Sequence, residues 1–185
     1  MQSKILTKID IPGFRWQSGK VRDWVDVELN HRLIVSTDRI SAFDVVLSDG
    51  IANKGWVLNQ LSIFWRDFLK EKFPGSQNDV VSSNDESCLA YLGVLTSEQK
   101  EALKGRMMLV RKVPVVPVEA VVRGYASGSF WEKYVWIRNR YPSIKIRVWD
   151  YELPSNLRES SELPEPIFTP TTKAPQGEHD SPLRF

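Results

Sequence analysis

The sequence predicts an α+β protein built around an antiparallel sheet. Runs of β-favouring residues and runs with helical periodicity do not alternate strictly along the chain, which argues against a parallel sheet with crossover helices. The chain has 185 residues, of which 42% are hydrophobic and 26% charged, as in folded soluble domains. Seven Trp and eight Phe supply the apolar surface for a core without disulfides.

The first third of the chain predicts a meander of short strands followed by a long helix. Strands are expected at residues 14–17, 21–27 and 32–37, and a helix at residues 56–73 that ends at Pro74. We expect the apolar face of this helix to pack against the sheet. The residues that form this face at i, i+3 and i+4 spacing are Leu58, Leu61, Trp65, Phe68 and Leu69.

The middle of the chain continues with alternating short elements. Thr96 and Gln99 have the spacing of a capping box at the start of a helix over residues 97–104. Strands are expected next at residues 107–113 and 115–122, and Pro117 places the second at an edge or gives it an irregular start.

The last third predicts one more helix and then little regular structure. Ser129 can cap a helix over residues 130–137, and a short strand is expected at residues 144–148. Six of the eleven prolines lie at or after Pro154. Because proline lacks an amide donor, we expect this stretch to be mainly a loop, either functional or a linker.

Composition excludes several classes of protein. A net charge of +2 gives no field that would indicate nucleic acid or an anionic membrane as partner. No apolar run reaches the length of a membrane span, and the first residues do not resemble a secretory signal. Cys88 is the only cysteine, so an internal disulfide is impossible and a cytoplasmic location is the simplest expectation.

Three polar segments are candidates for chemistry. The segment from Gly19 to Arg22 can place backbone amides and two cations around a phosphate, although an ordinary hairpin turn has the same composition. Arg39 lies among acidic and hydroxyl side chains after an apolar strand, as in a polar ligand site or a loop with local turns. Arg123 precedes a Gly- and Ser-rich helix start, which suits an anion site or a tight connection.

Taken together, these segments resemble the SAICAR synthetase family over residues 11–180. The strings that carry the resemblance are, in order, Gly19-Lys-Val-Arg-Asp23, Ser36-Thr-Asp-Arg-Ile-Ser-Ala-Phe-Asp44, Lys54-Gly-Trp-Val-Leu-Asn-Gln-Leu-Ser62, Pro117-Val-Glu-Ala-Val-Val-Arg-Gly-Tyr125, Gly128-Ser129, Pro164-Glu-Pro-Ile-Phe-Thr-Pro170, Lys173-Ala174 and His179-Asp180.

The resemblance implies a ligase of purine biosynthesis. Members of the family join the imidazole nucleotide CAIR to L-aspartate with ATP and Mg²⁺, and their ATP-binding lobe is related to protein kinases and ATP-grasp enzymes. The implied division is an N-terminal nucleotide-binding lobe at residues 1–113 and a partial second lobe at residues 114–185. No metal ligands are assigned. A kinase-like phosphotransferase is disfavoured because the sequence has no His-Arg-Asp or Asp-Phe-Gly set.

The resemblance also implies roles for individual residues. ATP is expected at Gly19, Lys20, Val21, Arg22, Lys112 and Glu119. CAIR is expected at Asp38, Arg39, Ser41, Asp44, Arg123 and Ser129. Catalytic roles are expected for Lys173, Asp180 and Arg123.

Two departures from the family pattern qualify these expectations. Phe130 is bulkier than the small residue expected there and could reshape a pocket wall. The family also continues beyond its His-Asp pair with a segment that holds further active-site residues, where this chain reads Ser181-Pro-Leu-Arg-Phe185. The alternatives are therefore an active ligase with a reduced C-terminal part and a nucleotide- and CAIR-binding module with little turnover. An uncovered apolar face would favour a homo-oligomer.

Overall fold

The computed structural model describes residues 5–42, 45–173 and 181–183. The chain divides into two compact units, Met1–Pro114 (unit 1) and Val115–Phe185 (unit 2).

Unit 1 is organised by a five-stranded antiparallel sheet within the described residues. Its strands are β1 (Gln17–Ser18), β2 (Arg22–Glu28), β3 (His31–Ser36), β4 (Arg39–Ala42), β5 (Val45–Gly50), β6 (Val80–Ser82) and β7 (Met107–Arg111). Its helices are α1 (Lys54–Lys72), α2 (Asp85–Leu89), a short 3₁₀ turn (Ala90–Leu92) and α3 (Ser97–Leu103). The sheet order is β1-β2-β3-β7-β6, and β4 pairs with β5 as a separate ribbon.

The centre of this sheet supplies the core of unit 1. Leu33 and Val35 on β3 and Met107 on β7 have no exposed surface, and their register pairs Val35 with Met107. Cys88 is buried in the same cluster, and burial raises the pKa of its thiol to about 11. A thiol with this pKa stays protonated and unreactive at neutral pH, so Cys88 has a packing role.

Unit 2 consists of three two-stranded antiparallel pairs and one long helix within its described residues. Its elements are β8 (Val118–Glu119), β9 (Val122–Tyr125), α4 (Gly128–Arg140), β10 (Ile146–Val148), β11 (Tyr151–Leu153), β12 (Glu162–Phe168) and β13 (Thr171–Thr172). The pairs are β10 with β11, β12 with β9 and β13 with β8. Phe130 and Tyr134 of α4 are fully buried and pack with Val148 in the core of this unit.

The α+β class, the antiparallel sheet and the capping box of α3 are confirmed. Several local predictions are wrong. The first strand occupies Gln17–Ser18 rather than residues 14–17, and β8 and β9 replace one strand over residues 115–122. The N-cap of α4 is Ser127, so Ser129 lies inside the helix and does not cap it.

The proline-rich stretch contains a seven-residue strand, β12, which contradicts the expectation of a loop. Pro164 and Pro166 lie between the paired positions Glu162 and Ile167, where the register with β9 shifts. The two prolines, which have no amide N–H to donate, therefore lie in the irregular part of the strand pair, where no backbone hydrogen bond is lost.

The apolar face predicted for α1 does not pack on the sheet. The helix packs on the rest of unit 1 through Gly55 and Asn59, which are its buried residues. The outer face is aromatic and exposed, with Phe64 and Trp65 at 56% and 54% exposure. Phe64, Trp65 and Phe68 instead contact one another, with centroid separations of 5.3 to 6.2 Å.

Candidate functional site

The glycine loop of unit 1, residues Gly19 to Arg22, connects β1 to β2. The Gly19 amide donates to the Arg22 carbonyl oxygen at 2.7 Å, which closes the turn. A Cβ at Gly19 would lie 3.1 Å from the ring of Trp24 and 3.3 Å from the Arg22 oxygen. The tight turn therefore favours a residue without a side chain at this position.

Three consecutive carbonyl oxygens of the glycine loop are held from the adjoining ends of β3 and β4. Arg39 donates from Nη2 to the Gly19 oxygen at 3.0 Å and from Nε to the Lys20 oxygen at 3.2 Å. Thr37 donates to the Val21 oxygen from its amide at 3.0 Å and from Oγ1 at 2.9 Å. The carbonyl groups of the loop are thus fixed by side chains and backbone where β3 ends and β4 begins.

The remaining donors of Arg39 are used in the interior. Its guanidinium pairs with both carboxylate oxygens of Asp23, at 2.7 and 3.3 Å, and Nη1 also donates to the Thr7 carbonyl. Asp23 is 1% exposed and accepts a further bond from the Ile9 amide. With all five N–H donors engaged, Arg39 lies beneath the glycine loop as a positioning residue, whereas the family resemblance implies contact with CAIR.

Asp38 is also enclosed. Arg106 holds its carboxylate with two bonds, at 2.6 and 3.1 Å, and the amides of Gly55 and Leu6 each donate to it at 2.9 Å. Burial by itself raises the pKa of Asp38, but the bonds from Arg106 and the two amides outweigh it and hold the pKa below the ordinary value. The carboxylate has no exposed surface, so it anchors the start of α1 rather than facing a ligand.

Lys54 and Arg22 are cations of unit 1 that form no ion pair among the described residues. Lys54 is half-buried at the first position of α1, and Arg22 is exposed at the end of the glycine loop. Burial lowers the pKa of Lys54, the charges of Arg22 and Arg39 lower it further, and Asp38 opposes the shift. Lys54 is not among the site residues expected from the sequence, although it directly precedes Gly55 in one of the strings that carry the family resemblance.

In unit 2, Arg123 and Ser129, which the family resemblance places at CAIR, are in contact. Arg123 on β9 donates to Ser129 Oγ at 3.3 Å and to the buried Thr169 hydroxyl at 3.0 Å. Its guanidinium carbon lies 6.0 Å from the ring centroid of Phe130. The Phe130 side chain belongs to the core of unit 2, so the departure at this position fills the interior. These contacts fix a half-buried guanidinium at the first turn of α4.

Lys173 and Glu119 form an ion pair at 2.8 Å in unit 2. The pair is fixed by β13 and β8, in which Thr171 lies opposite Glu119. The Lys173 amide also donates to the Pro117 carbonyl at 3.1 Å. The resemblance implies ATP for Glu119 and catalysis for Lys173, and the structure places the two side chains against each other.

The other predicted residues are spread more widely. Lys112 pairs with Asp26 at 2.8 Å on the surface of unit 1, and Ser41 lies on β4 opposite Val46. Asp44 and Asp180 lie outside the described residues. Within the described ranges, no group of three or more His, Cys, Asp or Glu side chains could hold a metal ion, and no helix is long and apolar enough to cross a membrane.

Comparison with known proteins defines the class to which this fold and these loops belong. The family model described as SAICAR synthetase matches residues 15–185. The phosphoribosylaminoimidazole-succinocarboxamide synthase of Komagataella pastoris is 47% identical over 164 residues, covering 88% of this chain and 51% of that protein. The synthase of Desulfosudis oleivorans is 44% identical over 187 residues, and the match covers 98% of this chain and 57% of that protein.

A solved structure gives the same result. The SAICAR synthase of Saccharomyces cerevisiae, complexed with SAICAR, superposes with a TM-score of 0.78 at 36% identity. The match covers 97% of this chain and 56% of the yeast chain. The chain therefore belongs to the SAICAR synthetase family, and it spans about half the length of the curated relatives it matches.

Proposed function

We propose that this chain takes part in the ATP-dependent joining of CAIR and L-aspartate, which yields SAICAR, ADP and phosphate. The observation that carries the proposal is the glycine loop, whose carbonyl groups are held by Arg39 and Thr37 in a member of this family. A loop fixed in this way can keep one geometry around nucleotide phosphates.

The chemistry requires activation of a carboxylate. An amine does not displace oxide from a carboxylate at neutral pH. Transfer of the terminal phosphoryl group of ATP to the CAIR carboxylate would give an acyl phosphate and ADP. The aspartate amine would then attack the carbonyl carbon, losing a proton, while the C–O bond breaks and phosphate leaves. The contribution of the protein would be positioning and charge stabilisation.

The residues of each unit suit different parts of this task. In unit 1, Lys20 and Arg22 belong to the glycine loop and would neutralise nucleotide phosphates. In unit 2, Arg123 is positioned by Ser129 and Thr169 to bind an anionic group of CAIR through its guanidinium. The ammonium group of Lys173 is paired with Glu119, and it would leave this partner to bind a more highly charged anion.

Mg²⁺ belongs to the proposal as the companion of ATP. It is usually held by substrate phosphates, waters and one or two carboxylates. The described part of the chain supplies no cluster of acidic or imidazole ligands for it. We therefore assign it no protein ligand and route no step through it.

A nucleotide- and CAIR-binding module with little turnover is the second candidate. Both candidates use the same loop and the same Arg123, and they differ only in product formation.

The test combines a binding and a turnover measurement on the purified chain. Isothermal titration would give the affinities for ATP with Mg²⁺ and for CAIR, and chromatography would detect SAICAR after addition of aspartate. SAICAR formation supports the ligase, and binding of both ligands without product supports the module. Arg123→Ala should lower CAIR affinity while leaving ATP affinity unchanged. A chain that binds neither ligand contradicts both candidates.

A further inference from the structure

We propose that the ammonium group of Lys54 binds the phosphate groups of the nucleotide, together with the glycine loop. This rests on the proposed function of that loop. It adds a residue from a different element, α1, so that the phosphates are held from both the loop and the helix.

The position of Lys54 is fixed by its neighbour Gly55. A Cβ at Gly55 would lie 2.3 Å from the Ser36 carbonyl oxygen and 2.7 Å from that of Thr37. The Gly55 amide donates to Asp38 at 2.9 Å. The start of α1 is therefore pressed against the end of β3, the same segment from which Thr37 holds the glycine loop. These contacts fix the backbone of Lys54 beside the end of β3.

The described charges around Lys54 leave an excess of positive charge. The carboxylates of Asp38 and Asp23 are already paired, with Arg106 and Arg39. Arg22 and Lys54 are then left as cations without an ion pair among the described residues.

The described groups around Lys54 favour an anion beside its ammonium. Partial burial disfavours the charged form of Lys54, and the positive charges of Arg22 and Arg39 add to the effect. Asp38 opposes this shift, but Arg106 already neutralises Asp38 with two hydrogen bonds, and Arg39 is likewise paired with a carboxylate. Arg22 is therefore the neighbouring cation that no described carboxylate pairs, and an anion would stabilise both it and the half-buried ammonium.

Arg22 identifies the anion as phosphate. Arg22 is exposed at the end of the glycine loop, so an anion that it shares with Lys54 would lie beside the loop. A polyphosphate carries several negative charges in a small volume and can interact with both cations at once, which a single carboxylate does less well.

The test uses variants that separate charge from packing. Affinities for ATP with Mg²⁺ and for inorganic tripolyphosphate are measured for the wild type, Lys54→Gln, Lys54→Arg and the control Lys70→Gln, an exposed lysine near the end of the same helix. Lys54→Gln should weaken both ligands by about tenfold, the equivalent of one charge-assisted bond. Lys54→Arg should stay within about threefold of the wild type, and Lys70→Gln should equal it.

A second measurement needs no variant and therefore does not depend on folding of Lys54→Gln. The wild-type chain is acetylated briefly with and without saturating ATP, and modification of each lysine is read by mass spectrometry. ATP should protect Lys54 and leave Lys70 unchanged. Failure of the wild type to bind ATP would overturn the proposed function of the loop. Binding of ATP with neither protection of Lys54 nor any effect of Lys54→Gln would overturn this inference alone.

Discussion

Replacing Arg39 with alanine removes five hydrogen bonds made by one side chain and leaves a carboxylate without its partner. Asp23 is 1% exposed and would keep only the bond from the Ile9 amide. Removing one member of a buried ion pair costs about 3–5 kcal/mol, because the remaining charge is desolvated and uncompensated. We expect Arg39→Ala to lower the free energy of unfolding of unit 1 by this amount.

An exposed pair with the same separation supplies a comparison. Arg32 and Asp26 are separated by 2.7 Å, as are Arg39 and Asp23, but their side chains are 33% and 36% exposed instead of 12% and 1%. Asp26 also keeps its ion pair with Lys112 at 2.8 Å when Arg32 is removed. Exposed pairs contribute about 0–1 kcal/mol, so Arg32→Ala should cost less than about 1 kcal/mol. The comparison therefore sets a buried carboxylate that loses its cation against an exposed carboxylate that keeps a second one.

The assay is urea unfolding followed by tryptophan fluorescence, with a double-mutant cycle. Asp23→Asn combined with Arg39→Ala removes both charges, so the double variant should be more stable than the sum of the single losses predicts, by about 2 kcal/mol. Additive losses would refute the argument that an unpaired carboxylate dominates the cost. A loss below about 1 kcal/mol for Arg39→Ala would refute the pairing itself.

Three further predictions concern other features of unit 1. Gly55→Ala should destabilise unit 1 by more than about 2 kcal/mol, because the new Cβ would lie 2.3 Å from a carbonyl oxygen of β3. This is the opposite of the usual effect in a helix, where alanine is more stable than glycine by about 1 kcal/mol. Gly75→Ala, in open space, is its control, and equal urea midpoints for the two variants would contradict the packing argument. The pKa of Asp26 is lowered from 3.8 to about 2 by its bonds to arginine and lysine, so its contribution to stability is present above pH 3.8 and lost as the pH falls through 2. Asp26→Asn should reduce the change of the urea midpoint with pH between these two values. An unchanged dependence of the midpoint on pH would argue against the lowered pKa of Asp26. The aromatic face of α1 should bind an apolar fluorescent dye, and Phe64→Gln with Trp65→Gln should reduce the signal; an undiminished signal would place the dye elsewhere.

The elements that depend on local pattern could be predicted from the sequence. Strands β2 and β3 and the capping box of Thr96 and Gln99 follow from alternation and from hydrogen bonds within four residues. The helical periodicity of α1 was also correct, but it does not tell which side of the helix the sheet covers. That side is set by Gly55 and by Asn59, whose amide reaches carbonyls 46 and 48 residues away.

The candidate site shows the same division between local and long-range information. The glycine loop and the position of Arg123 before a Gly- and Ser-rich helix start could be read from the sequence, because both lie within short segments. The hydrogen bond from Arg123 to Ser129 could not, since the sequence favoured Ser129 as a helix cap. The bonds from Arg39 to the loop span 19 and 20 residues, and the bond from Arg106 to Asp38 spans 68. No spacing rule covers such contacts, so the same residue types were compatible with direct ligand contact and with a positioning role.

The attachment of the glycine loop to Arg39 and Thr37 would have a kinetic consequence for the nucleotide binding that we propose. Glycine-rich loops that close as lids must be ordered when the ligand arrives, which slows association and reduces affinity. Here the backbone is already immobilised by Arg39 and Thr37 before any nucleotide arrives. Association should then proceed without a gating step, and substitutions among the surrounding cations should act mainly through the lifetime of the complex.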